Sequence, residues 1–223
     1  MNYAIVPAYN EEKNIYEVVK RLRRMKFKVI VVDDGSKDRT YELAKKAGAI
    51  VLRHEKNMGK GEALKTAFKY AREKKIKSFV VIDADLQYLP EEAKKLLEAI
   101  RNCEADLVMG CRNWKEVPFR HKLGNFIWRK LFNFLYGTKF SDTNCGFMAF
   151  GEKAIRDIEK IHGGYIIENS ILDDAIKKGL KIKQVPVKVF YHKKSRINRG
   201  IRVVLGVSFF IIKEGLKYKL SKL

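Results

Sequence analysis

The sequence predicts an α/β fold: a mostly parallel sheet flanked by helices. Two observations carry this. Short apolar runs alternate with amphipathic segments through the first half of the chain. The runs are nearly continuous, not alternating, as strands buried on both faces require. A third observation places function on that frame. Polar clusters follow three of the runs: Ala8-Tyr9-Asn10-Glu11, Asp33-Asp34-Gly35-Ser36 and Asp83-Ala84-Asp85-Leu86-Gln87. Ligands of open α/β sheets bind outside the carboxyl ends of the strands.

The elements follow in order. Tyr3 to Pro7 reads as a short buried strand. Glu11 to Met25 has helical spacing, with Ile15, Val18, Val19 and Leu22 on one stripe. Phe27 to Val32 is a second strand. Asp38 to Ala47 is a short helix that Gly48 stops. Ala49 to Leu52 is a third strand, Gly61 to Arg72 a helix, and Phe79 to Ile82 a fourth strand. Pro90 to Ile100 is a helix with proline near its start, and Asp106 to Met109 a fifth strand. In the second half, Arg120 to Tyr136 reads as a helix. Its predicted apolar face holds Leu123, Phe126, Ile127, Leu131, Phe134 and Leu135, with Lys122, Asn125, Arg129 and Asn133 opposite. Gly146 to Phe150 and Ile182 to Val189 read as strands, and Glu168 to Lys178 as a helix. From Arg196 the chain is basic, then apolar, then basic. Val203 to Ile212 holds no charge, but a transmembrane helix needs about 20 residues. This segment fits a buried terminal helix or one lying in a lipid interface.

At 223 residues with 46% hydrophobic content, the chain can bury a full core. No repeat or linker divides it, so one domain over residues 1–223 is expected. Cys103, Cys111 and Cys145 form no Cys-x-x-Cys pair, and the four histidines lack metal-ligand spacing. A reduced, cytoplasmic chain without a signal peptide is expected. The 47 basic and 26 acidic residues give a net charge of +21, which implies an anionic partner or surface. Nucleic acid, an acidic membrane face and phosphorylated substrates all meet that demand.

Asp83 and Asp85 carry the most chemical information. Residues two apart on a strand face the same way, so both carboxylates can reach one hard cation. Mg²⁺ or Mn²⁺ held by one or two carboxylates and by phosphate oxygens suits a nucleoside diphosphate. The plainer alternative is a pair that shapes the following turn. Asn10 and Ser36 could likewise only cap helices. Gly59-Lys60-Gly61 lacks the third small residue of a dinucleotide fingerprint and the spacing of a phosphate-binding NTPase loop. It reads as a turn opening a helix, near phosphate. Asp142 could ligate or fix a turn, Glu168 could contact an acceptor or pair with a lysine, and Arg129 fits a solvated face.

Together these residues resemble family-2 glycosyltransferases of the GT-A fold. The likeness rests on Val6-Pro7-Ala8-Tyr9-Asn10-Glu11, Val32-Asp33-Asp34-Gly35-Ser36, Asn57-Met58-Gly59-Lys60-Gly61, Asp83-Ala84-Asp85-Leu86-Gln87 and Gly110-Cys111-Arg112. Asp142 to Phe147, Gly164 to Glu168, Val185-Pro186-Val187 and Ser195-Arg196-Ile197-Asn198 narrow it to polyprenyl-phosphate sugar synthases, of the dolichol-phosphate mannose synthase kind. The resemblance implies a GT-A type α/β fold, with a nucleotide-binding, mostly parallel sheet and a mixed sheet in the acceptor half. It implies donor binding in residues 1–112, acceptor binding in 113–200 and an amphipathic or membrane-interfacial tail in 201–223.

By the same resemblance, Pro7, Tyr9 and Glu11, with Asp33 or Asp34, would hold the nucleoside of a GDP- or UDP-hexose. Asp83, Asp85 and Gln87 would hold the metal and the donor diphosphate. Arg112 and Arg120 would bind a polyprenyl (dolichyl) phosphate, and Arg196 would cover the diphosphate. His192 and Arg196 depart from the arginine and lysine frequent in the family. The implied enzyme is metal-dependent and inverting, and peripheral at the inner face of the membrane. Relatives that attack with a sugar hydroxyl usually carry Glu-Asp where this chain has Glu168-Asn169. An ionised phosphate needs no strong general base, so Asn169 favours a phosphate acceptor over a glycan hydroxyl. A nucleic-acid-binding protein would have no use for three acidic strand ends.

Overall fold

The computed structural model describes residues 1–114, 119–190 and 201–222, the side chains of 119–121 and 201 excepted. Strands β1 (Asn2–Ala8), β2 (Phe27–Asp33), β3 (Ile50–Arg53) and β4 (Ser78–Val81) pair in parallel. Strands β5 (Leu107–Arg112) and β7 (Ile182–Val187) also pair in parallel. Between the two groups lies β6 (Met148–Gly151), antiparallel to β4 and β5. The sheet order is β3-β2-β1-β4-β6-β5-β7. The helices are α1 (Ile15–Arg24), α2 (Thr40–Lys46), α3 (Lys60–Glu73), α4 (Ala93–Arg101), α5 (Phe119–Tyr136), α6 (Glu152–Asp157), α7 (Ile167–Lys177) and α8 (Ile201–Leu220).

The parallel strands are the apolar runs of the sequence. Ala4, Ile5 and Val6 of β1 and Ile30, Val31 and Val32 of β2 are fully buried, as helices on both faces require. The stripe Ile15, Val18, Val19 and Leu22 buries one face of α1. Phe68, Phe79 and Phe150 form an edge-on aromatic cluster joining α3, β4 and β6.

The reversal of β6 has a consequence for function. Its N-terminal end adjoins the carboxyl ends of β4 and β5 (Val81 pairs with Met148, and so does Met109). The preceding segment, Asp142 to Gly146, is therefore delivered to the same sheet edge as Asp83 and Arg112. A parallel strand there would have put that segment at the opposite edge.

Three expectations need correction. Helix α1 begins at Ile15, not Glu11: the Glu11 carbonyl turns the chain by accepting from Asn14 and Ile15. Pro90 opens a 3-10 turn, and the α-helix starts only at Ala93. Helix α5 is rotated from its expected pose. Asn125, Trp128, Phe132, Leu135 and Tyr136 face inward, while Leu123 (64% exposed), Phe126, Ile127 and Phe134 (70%) point outward. Partner α8 explains it. Trp128 Nε1 donates to the Val204 carbonyl at 3.2 Å, and Gly215 lets α8 approach Leu135 so closely that a Cβ there would lie 2.7 Å away. Glu214 of α8 also accepts from Lys177 of α7 at 2.8 Å.

Candidate active site

Three clefts share lining residues along the carboxyl edge of the sheet. The first, about 730 Å³, is lined by Tyr9, Ser36, Lys37, Arg53, Lys56 and their neighbours. The second, about 240 Å³, shares Tyr9 and adds Pro7, Glu11, Lys60, Asp83 and Asp85. The third, about 430 Å³, shares Lys60, Asp83 and Asp85 and continues past Gln87, Arg112, Trp128, Asn144 and Glu168. The two aspartates thus stand between two open ends.

The loops of the first end are lashed together by polar side chains. Asn10 N donates to Ser36 Oγ (2.9 Å), Lys37 N to Asn10 Oδ1 (2.9 Å), and Glu11 N to Thr40 Oγ1 (2.8 Å). Neither Asn10 nor Ser36 caps a helix; each ties the β1 loop to the β2 loop. Asp33 and Asp34 are buried. Asp33 Oδ1 accepts from Ser36 N at 3.0 Å, and Arg53 Nε lies 3.2 Å from Oδ2. Asp34 accepts from Met58 N (2.9 Å) and Gly59 N (2.7 Å), and His54 Nδ1 lies 2.7 Å away. These carboxylates shape the loop that ends at Lys60. The exposed side chains that line the first cleft include Tyr9, Lys37, Arg53 and Lys56, while Asp34 lines the second. Gly35 has φ +72°, and a Cβ there would fall 2.5 Å from the Lys56 carbonyl carbon, so this approach requires glycine.

At the centre, Asp85 Oδ1 accepts from Gln87 N at 3.0 Å, and Leu86 takes the left-handed conformation (φ +58°). A leucine adopts this only when its surroundings over-determine it, a feature that clusters at functional sites. The expected turn and the expected carboxylate pair therefore coexist. Burial, and then the neighbouring Asp83 charge, push the Asp85 carboxyl up to about 6. Lys60 Nζ sits 2.6 Å from Asp83 and 3.9 Å from Glu168. Burial works against its charge, but Asp83 and Glu168 outweigh this and raise its pKa. All three side chains converge above Gly146. A Cβ there would lie 2.9 Å from Lys60 Nζ and 3.2 Å from both Asp83 Oδ2 and Glu168 Oε1.

The pair suits a hard dication. Asp85 is raised by burial and then by the Asp83 charge, so a cation beside it would be favoured, and two carboxylates are the usual protein share where a diphosphate completes the shell. Among the described residues no three carboxylate, imidazole or thiol groups form a protein-only cage.

At the far end, Arg112 is buried against Asp142 in a bidentate pair (Nε to Oδ2 2.6 Å, Nη2 to Oδ1 2.8 Å). Asp142 also accepts from Asn144 N (3.0 Å), so it both pairs and fixes a turn. Arg129 Cζ lies 5.4 Å from the Trp114 ring centroid, and its Nη1 donates to the Ser141 carbonyl. The Arg120 side chain, Arg196, His192 and Asn198 lie outside the described residues. Sequence reasoning places Lys60 in a turn near phosphate without its carboxylate partners, and gives Asn144 no role of its own. Their partners, Glu168 and Asn169, lie more than a hundred and about twenty-five positions away, and no local pattern signals such contacts.

This architecture is that of a GT-A glycosyltransferase. The chain belongs to glycosyl transferase family 2, whose model matches residues 3–159. An uncharacterized protein of Methanocaldococcus jannaschii is 37% identical over 94% of this chain and 97% of its own length. A UDP-N-acetylglucosamine–dolichyl-phosphate N-acetylglucosaminyltransferase of Methanococcus voltae is 33% identical over 93% of this chain and 92% of its own. In fold, the chain is similar to glucosyl-3-phosphoglycerate synthase from Mycobacterium tuberculosis, solved with Mn²⁺, UDP and glucosyl-3-phosphoglycerate. The TM-score is 0.75 at 23% identity, covering 97% of this chain and 79% of that one.

Proposed function

We propose that this glycosyltransferase moves a hexose from a nucleoside-diphosphate sugar to a polyprenyl phosphate, with inversion at the anomeric carbon. One observation carries the reading: the Asp83–Asp85 pair stands between a polar cleft and a second cleft that holds Arg112 and Glu168, the latter followed by Asn169 and not by an aspartate. The Methanococcus voltae relative, named for a dolichyl-phosphate acceptor, supports the acceptor class.

In this reading Pro7, Tyr9 and Glu11 border the nucleoside. Asp33 and Asp34 act by holding the loops that shape its cleft. Mg²⁺ or Mn²⁺ bound by Asp83 and Asp85, beside Gln87, would supply a Lewis acid for the departing diphosphate. Lys60 places a fixed positive charge beside it. Arg112, Arg120 and Arg196 contribute further positive charge toward acceptor and donor phosphates. An acceptor phosphate oxygen attacks the anomeric carbon, the bond to the diphosphate oxygen breaks, and its electron pair leaves with the nucleoside diphosphate. No proton need move, so Asn169 in place of aspartate removes nothing the step requires. The test is incubation with labelled GDP- or UDP-hexose, Mn²⁺ and polyprenyl phosphate. Labelled lipid phosphate on thin-layer plates is expected. Label transferred only to glycan hydroxyls would overturn the reading.

We further assign the outward face of α5 and α8 to an anionic membrane surface, at the cytoplasmic side. Leu123, Phe126 and Phe134 are joined there by Leu205, Phe209, Leu216 and Leu220, with Lys130, Lys213, Lys217 and Lys219 around them. No helix among the described residues is long and apolar enough to cross a membrane. Trp128 lines the third cleft and bonds to α8, so this face adjoins the proposed acceptor end. Phe134→Ser with Phe209→Ser should weaken binding to anionic vesicles at least about tenfold without lowering Tm, since both rings are exposed. Unchanged vesicle sedimentation would refute the assignment. Deleting α8 is a poorer test, because Val207 and Ile211 belong to the core.

A further inference from the structure

Beneath the third cleft runs a chain of neutral amides that the reaction as drawn does not use. Asn169 Nδ2 donates to Asn144 Oδ1 at 2.7 Å, and Asn144 Nδ2 donates to Asn125 Oδ1 at 3.2 Å. Thr143 Oγ1 lies 3.4 Å from the same Asn144 oxygen. The three asparagines come from α7, the segment before β6, and α5. Asn125 and Asn169 are buried, and Asn169 Oδ1 has no hydrogen-bond partner. Only Asn144 reaches the cleft, which it lines with Arg112, Gly146 and Glu168.

The order of donors in this chain matters. A carboxamide offers two N–H groups on one side and a carbonyl on the other. Because Asn169 donates to the Asn144 carbonyl, that oxygen is held down in the protein. The nitrogen spends one N–H on Asn125 and has a second to offer. An aspartate at 169 can only accept when ionised. It would draw the Asn144 N–H groups toward itself and turn the carbonyl outward. The cleft floor would change from donor to acceptor. A donor suits an anionic oxygen; an acceptor suits a hydroxyl about to lose its proton.

We propose that Asn169, acting through Asn144, sets the acceptor class: it holds the Asn144 N–H toward the cleft as a hydrogen-bond donor for an anionic acceptor oxygen. Asn144 contacts the acceptor, and Asn169 is a positioning residue. The inference rests on the phosphate-acceptor reading above and supplies a determinant for it.

The experiment measures initial rates against polyprenyl phosphate concentration at saturating sugar nucleotide, for wild type, Asn169→Asp, Asn144→Asp and Asn144→Ser. Asn169→Asp should raise the acceptor KM about tenfold. The donor KM should stay within about twofold, since the chain lies at the acceptor end. Asn144→Asp should raise the acceptor KM at least as much, and Asn144→Ser, which keeps a donor, should raise it least. An acceptor KM unchanged in both aspartate variants would overturn the inference. So would one that rises together with the donor KM, for that is general loosening of the site. Absence of lipid-linked product from the wild type would instead overturn the phosphate-acceptor reading, independently of any variant.

Discussion

Asp85→Asn lowers transfer by ~10³-fold or more while leaving the fold intact, since the change removes charge but almost no volume. The donor KM rises with it, because in the proposed mechanism the diphosphate binds partly through the ion that Asp83 and Asp85 share. A chelator reproduces the loss in the wild type and adds little in the variant. The raised carboxyl supplies an independent readout. In the folded, metal-free protein Asp85 titrates at about 6, against roughly 4 when unfolded. A folded pKa above the unfolded one means that the folded state binds more protons within that window. Stability therefore falls as pH rises from about 4 to about 6, and the full cost of the half-buried Asp85 charge beside Asp83 remains above it. The metal-free Tm should drop by a few degrees between pH 5 and pH 7.5, and this drop should shrink in Asp85→Asn. Added Mn²⁺ should raise Tm strongly at pH 7.5 and weakly at pH 5, where protons compete for the same oxygens. Transfer that survives Asp85→Asn, or a Tm response to Mn²⁺ that is equal at both pH values, would refute a metal held by this pair.

The first half of the chain was legible because its signals are local. A strand buried on both faces writes itself as a continuous apolar run, and its polar end marks the sheet edge where ligands collect. Hence Tyr9, Asp34, Asp83 and Asp85 could be brought to one edge from spacing alone. Asp33 shows the limit of that reasoning. The residue sits where expected, but its carboxylate faces Ser36 N and Arg53 and is fully buried. Sequence spacing fixes which end of a strand a side chain occupies, and not what it finds there.

Helix α5 was misread for a related reason. Periodicity identifies an apolar stripe but not the medium that stripe meets. One apolar stripe, with Leu123, Phe126 and Phe134, is turned outward, while a second, with Trp128, Phe132, Leu135 and Tyr136, packs inward beside Asn125. A helix that met only water on its outer side would carry polar residues there. Apolar residues on both sides are the argument for the membrane face proposed above, and only the packing of α8 against Trp128 and Leu135 reveals which stripe is the inner one.

Asp142→Ala has the largest expected effect on stability. Its carboxylate grips the Arg112 guanidinium through two hydrogen bonds, also meets the Arg112 and Asn144 backbone amides, and is fully buried. Burial alone opposes the Arg112 charge, and Asp142 more than restores it. Removing the anion strands a buried cation, which costs about 3–5 kcal/mol. For a chain of this size that corresponds to a Tm lower by roughly 10 °C. Arg112→Ala should cost a similar amount by stranding the anion. The apolar pair Arg112→Met with Asp142→Leu should recover much of the Tm, because neither charge then remains to be compensated. It should not recover transfer. Asp142 occupies Nε and Nη2 of Arg112, and in the proposed mechanism the guanidinium charge beside the cleft serves the acceptor phosphate, to which a methionine offers nothing. A double variant that regains stability and stays inactive toward polyprenyl phosphate separates the two duties of this arginine. A double variant as active as the wild type would show that the pair serves only to hold β5 to the segment before β6.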